Sequence, residues 1–263
     1  MTPETLAAAG LRYEVAGAVA TVTLDRPASR NSQTPTMWRA LAELGAQIPD
    51  EVRVVVLRGA GGTFSAGLDR NLLVPGGGDG QESVADLLQL DDAAVSATIS
   101  AYQDGFVWLA DPRFVSIAVV EGYAIGAGFQ LALACDLRVA ADDARFCMKE
   151  AALGLVPDLA GTKPLVAAVG YARALEICAT ARMVSAAEAA RIGLVLTGVP
   201  AAELDSTVAD LVAALTAPLP GAVRETKALL LGADRRDLDD QRRLEREAQT
   251  RRFRELAALM TPQ

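Results

Sequence analysis

The chain switches between two hydrophobic periods, and each switch marks an element. "LRYEVAGAVATVTLDRP" alternates apolar and polar side chains through β-branched runs. That predicts strands over Leu11–Val15 and Val19–Leu24, with Gly17 in the turn. "TPTMWRALAELGAQIP" changes to helical spacing, with Met37, Leu41 and Leu44 on one face, a proline in the first turn and Pro49 as the stop. "VRVVVLRG" is apolar almost without interruption, the mark of a strand covered on both faces. A glycine-rich loop, "GAGGTFSAGLDR", follows it.

From Leu72 to Asp92 the pattern weakens, and "PGGGDGQ" is flexible by composition. A helix is expected from about Ala93 to Leu109. "FVSIAVVEGYAIGAG" reads as strand, turn and a second glycine-rich corner, which opens a helix over Phe129–Ala134. "DLRVAADDARFCMKE" reads as two short strands around an acidic turn. After Glu150 the pattern is mainly helical, over about 161–180, 185–192, 201–216, 221–231 and 238–259. Strands alternating with helices, then helices alone, predict an α/β core over 1–200 and a helical region over 201–263.

Composition narrows the chemistry. With 51% hydrophobic residues in 263, the chain can bury one large core. No apolar run reaches the roughly 20 residues of a membrane span, and "MTPETLAAAG" has neither the basic start nor the apolar stretch of a signal peptide. Cys135, Cys147 and Cys178 lack metal-type spacing and read as reduced thiols of a cytoplasmic protein. The net charge of -8 argues against nonspecific nucleic-acid binding, which needs a basic face. Histidine is absent, which removes Ser-His and Cys-His catalysis and histidine metal sites. Proton transfer is left to carboxylates, tyrosines, lysines or water.

"EGYAIGAGFQ" admits three readings. Gly126-Ala127-Gly128 could serve tight helix–strand packing. It could be a dinucleotide loop, although Leu131 stands where the third glycine belongs. It could also present a backbone N–H at a helix start to a developing oxyanion. "FSAGLDR" is a second small-residue turn after a buried strand, so two turns could serve one oxygen.

Four segments together resemble the enoyl-CoA hydratase/isomerase (crotonase) superfamily, from about Val15 to Val199. They are "LDRPASRNS", "FSAGLDR", "EGYAIGAGFQLALACDLRVAADDARFCMKEAALGLVPDLAGT" and "GYARALEICATARMVSAAEAARIGLV". The resemblance implies a crotonase-like spiral of ββα units with a helical C-terminal region. It implies an acyl-CoA thioester substrate, coenzyme A entering only as part of that substrate, and no metal or redox cofactor. It also implies a homotrimer or a dimer of trimers.

Carried onto this chain, the resemblance implies oxyanion donors at Ala66 and Ala127. Ala28, Ser29 and Arg30 would lie along the coenzyme, and Gly67, Leu68, Asp69 and Gly126 would border the substrate; Asp69 could instead brace its loop. Hydratases of the family use two glutamates. Here the first position is Gln130 and the second is Glu150. Glutamine can orient water but cannot exchange a proton near neutral pH. That favours double-bond isomerisation, with Glu150 as the base; the alternatives are a weak or specialised enoyl-CoA hydratase and a non-catalytic acyl-CoA-binding protein. Dienoyl-CoA isomerases of the family carry an aspartate eight residues further on, where Asp158 stands; a helix cap is the preferred alternative there. Relatives extend a further C-terminal segment that supplies basic groups to the coenzyme phosphate. Here Arg251, Arg252 and Arg254 read as a solvated helix face.

Overall fold

The computed structural model describes residues 1–74 and 80–260. Most of "PGGGDGQ" therefore lies outside the described residues. The chain opens with α1 (Pro3–Ala8), then a hairpin of β1 (Leu11–Ala16) and β2 (Val19–Leu24). There follow α2 (Pro35–Ala46), β3 (Val54–Gly59), α3 (Val84–Leu87) and α4 (Asp92–Val107). Next come β4 (Val115–Val120), β5 (Tyr123–Ile125), α5 (Ala127–Ala134), β6 (Leu137–Ala141) and β7 (Arg145–Cys147). Then come α6 (Thr162–Val169), α7 (Tyr171–Thr180), β8 (Val184–Ser185), α8 (Ala186–Arg191) and β9 (Thr197–Val199). Three helices close the chain: α9 (Leu204–Thr216), α10 (Pro220–Leu230) and α11 (Leu238–Met260).

Strand pairs hand the chain from one sheet to another. β1-β2-β3-β4-β6-β9 form a six-stranded sheet, parallel except for the β1–β2 hairpin. β5, β7 and β8 form a second, three-stranded sheet. In β4–β5–α5 and again in β6–β7, a long strand of the main sheet is followed by a short strand of the small one. These are ββα units, and the helical C-terminal region follows them.

Alternation explains why β3 reads as a nearly continuous apolar run and why its neighbour β4 is apolar on both faces apart from Ser116. Val55 and Leu57, with Ala118 and Val120, face the main core, where Ala20, Val22 and Leu24 join them. Val54, Val56, Ile117 and Val119 face the opposite side, where α9 lays Leu204 and Val208 against them. Both faces are covered, so neither needs polar positions. α5 is buried nearly all round, with Phe129 inside and packed on Phe146 at a 5.5 Å ring separation.

Three expectations change. The 161–180 helix is broken at Gly170, whose φ of 76° ends α6 and starts α7. α5 starts at Ala127, two residues before the expected Phe129, so Ala127 has helical geometry with a free first-turn position. The region after Glu150 also contains two strands. β9 has three residues and β8 two, too few for a period to show; their partners β6 and β7 hold them. Among the described residues no single helix is long and apolar enough to cross a membrane.

Candidate active site

The first corner follows β3 and is held by Asn31, which is fully buried. The Asn31 amide donates to the carbonyls of Ala60 at 2.8 Å and Thr63 at 2.6 Å, and its oxygen accepts the Arg26 N–H at 2.9 Å. The next N–H groups can be accounted for one by one. Ala66 donates to the Arg30 carbonyl at 2.9 Å, Gly67 to Ser65 Oγ at 3.2 Å, and Asp69 to the Gln33 carbonyl at 2.9 Å. This corrects the expectation for Ala66: its N–H is already committed inside the fold. Leu68 is the residue of this turn whose N–H bonds to no acceptor among the described residues.

The second corner is Gly126-Ala127. Gly126 has φ 51° and ψ -120°, a conformation for glycine alone, and its N–H bonds the Cys147 carbonyl at 2.8 Å. Ala127 is the first helical residue of α5, and its N–H has no intrahelical acceptor. The corners touch. A β-carbon on Gly67 would collide with the Ile125 carbonyl and lie 3.5 Å from the Ala127 nitrogen. One on Gly128 would lie 2.6 Å from the Ser65 carbonyl oxygen and 2.8 Å from Ser65 Cβ. Gly128→Ala should therefore cost about 1–3 kcal/mol of stability by overpacking. A urea midpoint equal to that of the wild type would refute the close approach.

Glu150 lies three residues beyond β7, at the start of a short 3-10 turn, and is 8% exposed. Its Oε1 would be 3.4 Å from a β-carbon on Gly126, so the carboxylate lies against the second corner. Gln130 is 1% exposed on α5 and donates through Nε2 to Glu150 Oε1 at 2.7 Å. Its own oxygen accepts two main-chain donors, Leu159 N–H at 2.9 Å and Gly161 N–H at 3.3 Å. Ala160 between them, at φ 63°, turns both N–H groups toward one atom. Two donors aimed at one end of an amide require that end to be oxygen, so the NH₂ must face Glu150. Glu150 Oε2 is buried and has no hydrogen-bond partner among the described residues.

Burial raises the Glu150 pKa above the ordinary carboxylate range. Its backbone and Gln130 pull the value down, and the charge of Asp158 pushes it up. Asp158 reaches the surface, yet the protein around its carboxyl desolvates it enough to raise its pKa as well. The expected cap role for Asp158 is not found. The N-cap of α6 is Gly161, with no side-chain hydrogen bond. What fixes the Asp158 main chain is Gln103 of α4, whose amide bonds its carbonyl at 2.6 Å.

Asp69 braces its loop. Arg26 and Ser32 bond its Oδ2 at 2.9 and 3.1 Å, and the Asn71 N–H bonds Oδ1 at 3.2 Å. Burial opposes its charge, but those hydrogen bonds outweigh it and hold its pKa low. Ala28 and Ser29 lie in a 3-10 turn that ends at Arg30 and Asn31, both at φ 53°. Ala28 and Arg30 are exposed beside the first corner. Arg252 differs from expectation: it is 9% exposed, because α11 folds back on α10 and Gly221 admits its guanidinium. Arg251 pairs with Glu225 through two bonds of 2.7 and 2.9 Å.

Among the described residues no group of three His, Cys, Asp or Glu side chains could hold a metal. Burial pushes the Cys135 thiol up to about 12, which keeps it protonated and inert. The candidate site thus sets two main-chain corners beside a buried carboxylate, one oxygen of which is bonded by Gln130 and the other left unpartnered among the described residues.

The family defined by enoyl-CoA hydratase/isomerase proteins matches residues 14–260. A putative enoyl-CoA hydratase from Thermobifida fusca YX, solved in complex with acetoacetyl-CoA, is 52% identical, with a TM-score of 0.93 over 97% of this chain and 98% of that one. A probable enoyl-CoA hydratase from Rhizobium meliloti (strain 1021) is 35% identical over 187 residues, 70% of this chain and 66% of that protein. The peroxisomal Delta(3,5)-Delta(2,4)-dienoyl-CoA isomerase of Arabidopsis thaliana is 34% identical over 218 residues, 79% of this chain and 75% of that protein. The chain belongs to the enoyl-CoA hydratase/isomerase (crotonase) family.

Proposed function

We propose that this protein is an acyl-CoA isomerase that moves a carbon–carbon double bond along a thioester. The Ala127 and Leu68 N–H groups receive the thioester oxygen, with Leu68 in the place first expected of Ala66. Glu150 Oε2 takes a proton from C2. The electron pair moves into a dienolate whose charge rests on the thioester oxygen, and the same carboxyl returns the proton at C4. Glu150 ends as it began, so no second acid is required. Asp158 tunes that carboxyl by its charge or acts as a further acid.

The observation that carries this reading is the fixed direction of the Gln130 amide. Gln130 can only donate to Glu150. It holds the base still and exchanges no proton, which leaves Glu150 as the proton-transferring member of that pair. A hydratase reading has the names of several relatives in its favour. It requires Gln130 to place water while its visible bonds are already directed elsewhere.

The remaining features fit the same proposal. Arg30 and the Ala28–Ser29 turn border the coenzyme path. α11 exposes Phe253, Leu259 and Met260, an apolar face suited to a trimer or dimer of trimers. Residues 1–200 would form the catalytic core and 201–263 the helical region. The net charge of -8 suits a soluble cytoplasmic enzyme that binds no nucleic acid.

The test offers the purified protein a 3-enoyl-CoA and a trans-2-enoyl-CoA. Isomerisation of the first should be the faster reaction. Rapid hydration of the second overturns the assignment. Gln130→Glu adds a proton-exchanging group and should raise hydration relative to isomerisation by about tenfold or more. No change in that ratio would remove Gln130 from the argument.

A further inference from the structure

We propose that Gln33 and Ser65 are positioning residues that aim the two donor corners at a common point. The proposal rests on the oxyanion role given above to Leu68 and Ala127, and concerns what holds them in place.

Both side chains are fully buried. The indole N–H of Trp38 can only donate, and it bonds Gln33 Oε1 at 2.8 Å. That sets the amide, so Gln33 Nε2 faces Ser65 Oγ at 3.1 Å as donor. Ser65 Oγ also accepts the Gly67 N–H at 3.2 Å. Its one proton is left for the Asn31 carbonyl, 2.7 Å away. Every bond in the chain Trp38–Gln33–Ser65 runs in one direction. An apolar pair would fill the same space without desolvating an amide and a hydroxyl. What the polar pair adds is orientation.

The main chain of Gln33 completes the arrangement. Its N–H bonds the Gly67 carbonyl at 2.8 Å, and its carbonyl accepts the Asp69 N–H at 2.9 Å. Gln33 and Leu68 thus form a parallel bridge. In such a bridge the central residue is straddled, and its own N–H points away from the partner. Gln33 therefore turns the Leu68 N–H outward.

Ser65 extends this control to the second corner. Its N–H bonds the Tyr123 carbonyl at 2.7 Å, and its carbonyl accepts the Ile125 N–H at 3.0 Å. It also packs directly under Gly128. One serine therefore touches the turn that carries Leu68 and the helix start that carries Ala127.

Two variants test the proposal: Ser65→Ala, and the double replacement Gln33→Leu with Trp38→Phe, which substitutes apolar groups on both sides of one bond. The readouts are kcat and KM for isomerisation, the carbonyl stretch of bound [1-¹³C]butyryl-CoA, and amide exchange of residues 64–69. Folded variants should lose about 10- to 100-fold in kcat, with KM within about threefold. The downshift of the carbonyl band seen with the wild type should shrink in parallel. A folded variant with the wild-type band and kcat within threefold overturns the proposal, and so does failure of both variants to fold. If wild-type protein itself produces no carbonyl shift, the oxyanion reading fails instead. Exchange at Gly67 and Leu68 then decides the positioning role on its own: faster exchange in Ser65→Ala upholds it, and unchanged exchange overturns it.

Discussion

Glu150→Gln is expected to lower kcat for double-bond migration by about 10²- to 10⁴-fold and to leave the protein at least as stable as the wild type. The amide keeps an oxygen for Gln130 Nε2, so the 2.7 Å bond can persist. It lacks only the ability to exchange a proton. The stability prediction follows from linkage. The folded-state pKa of Glu150 lies above its ordinary 4.5, chiefly because burial disfavours the charge. Below 4.5 both folded and unfolded chains hold the proton and no penalty exists. As pH rises from 4.5 through the raised folded value, the unfolded chain releases its proton first. The wild type therefore loses stability across that window and carries the full penalty above it. The melting temperature of Glu150→Gln relative to the wild type should grow over the same interval. The acid limb of kcat/KM in the wild type should likewise lie above the ordinary carboxylate range. Retention of more than a tenth of the activity by the variant would rule out Glu150 as the base.

Lys227→Met is expected to destabilise the fold by about 3–5 kcal/mol, the usual cost of breaking a buried ion pair from one side. Lys227 on α10 is 8% exposed, and its ammonium makes three bonds. It donates to the carbonyls of Asp111 at 2.6 Å and Phe114 at 2.7 Å, and to Asp136 Oδ2 at 2.7 Å. Asp136 also receives the N–H and hydroxyl of Ser116 at 2.8 and 3.0 Å. Burial lowers the Lys227 pKa and the Asp136 carboxylate opposes that shift. Removing the ammonium takes a donor from the carbonyls of Asp111 and Phe114 and leaves the Asp136 carboxylate without its cation, held among the described residues by Ser116 alone. Chemical denaturation measures the loss, and adding Asp136→Asn should recover part of it. A loss under about 1 kcal/mol would show that α10 docks by packing alone.

The sequence made some parts of this molecule legible because their causes are local. β3 announced itself through Val54, Val55, Val56 and Leu57, since a strand with two covered faces has no polar positions. Gly126 was readable because φ 51° combined with ψ -120° admits little besides glycine. Other features depend on partners distant in the chain. Whether Ala66 or Leu68 has a free N–H turns on where the Arg30 and Gln33 carbonyls fall, and no pattern within "FSAGLDR" encodes that. Asp158 looked like a cap because a helix begins soon after it. The helix in fact begins at Thr162, too far on for its carboxyl to serve. Arg252 resembled a solvated charge until α11 was seen folded against Gly221. Gln130 shows both situations. Its identity pointed away from two-carboxylate hydration, but only the N–H groups of Leu159 and Gly161 fix which way its amide faces.

The two proposed donors are peptide N–H groups, carried by a leucine and an alanine. A saturating alanine scan would pass over Ala127 as wild type and would leave the main chain of Leu68 in place. Such a scan would be expected to register Glu150 and Ser65 and to leave the two donor N–H groups themselves unprobed. Sensitivity would appear instead where a methyl is added, at Gly67, Gly126 and Gly128, and would be taken for a packing defect. If the proposed donors act through their main chain, tolerance to side-chain removal at residues 68 and 127 says nothing about their part in catalysis. Backbone ester substitution at residues 68 and 127, which deletes the N–H and spares the side chain, asks the question that genetics cannot.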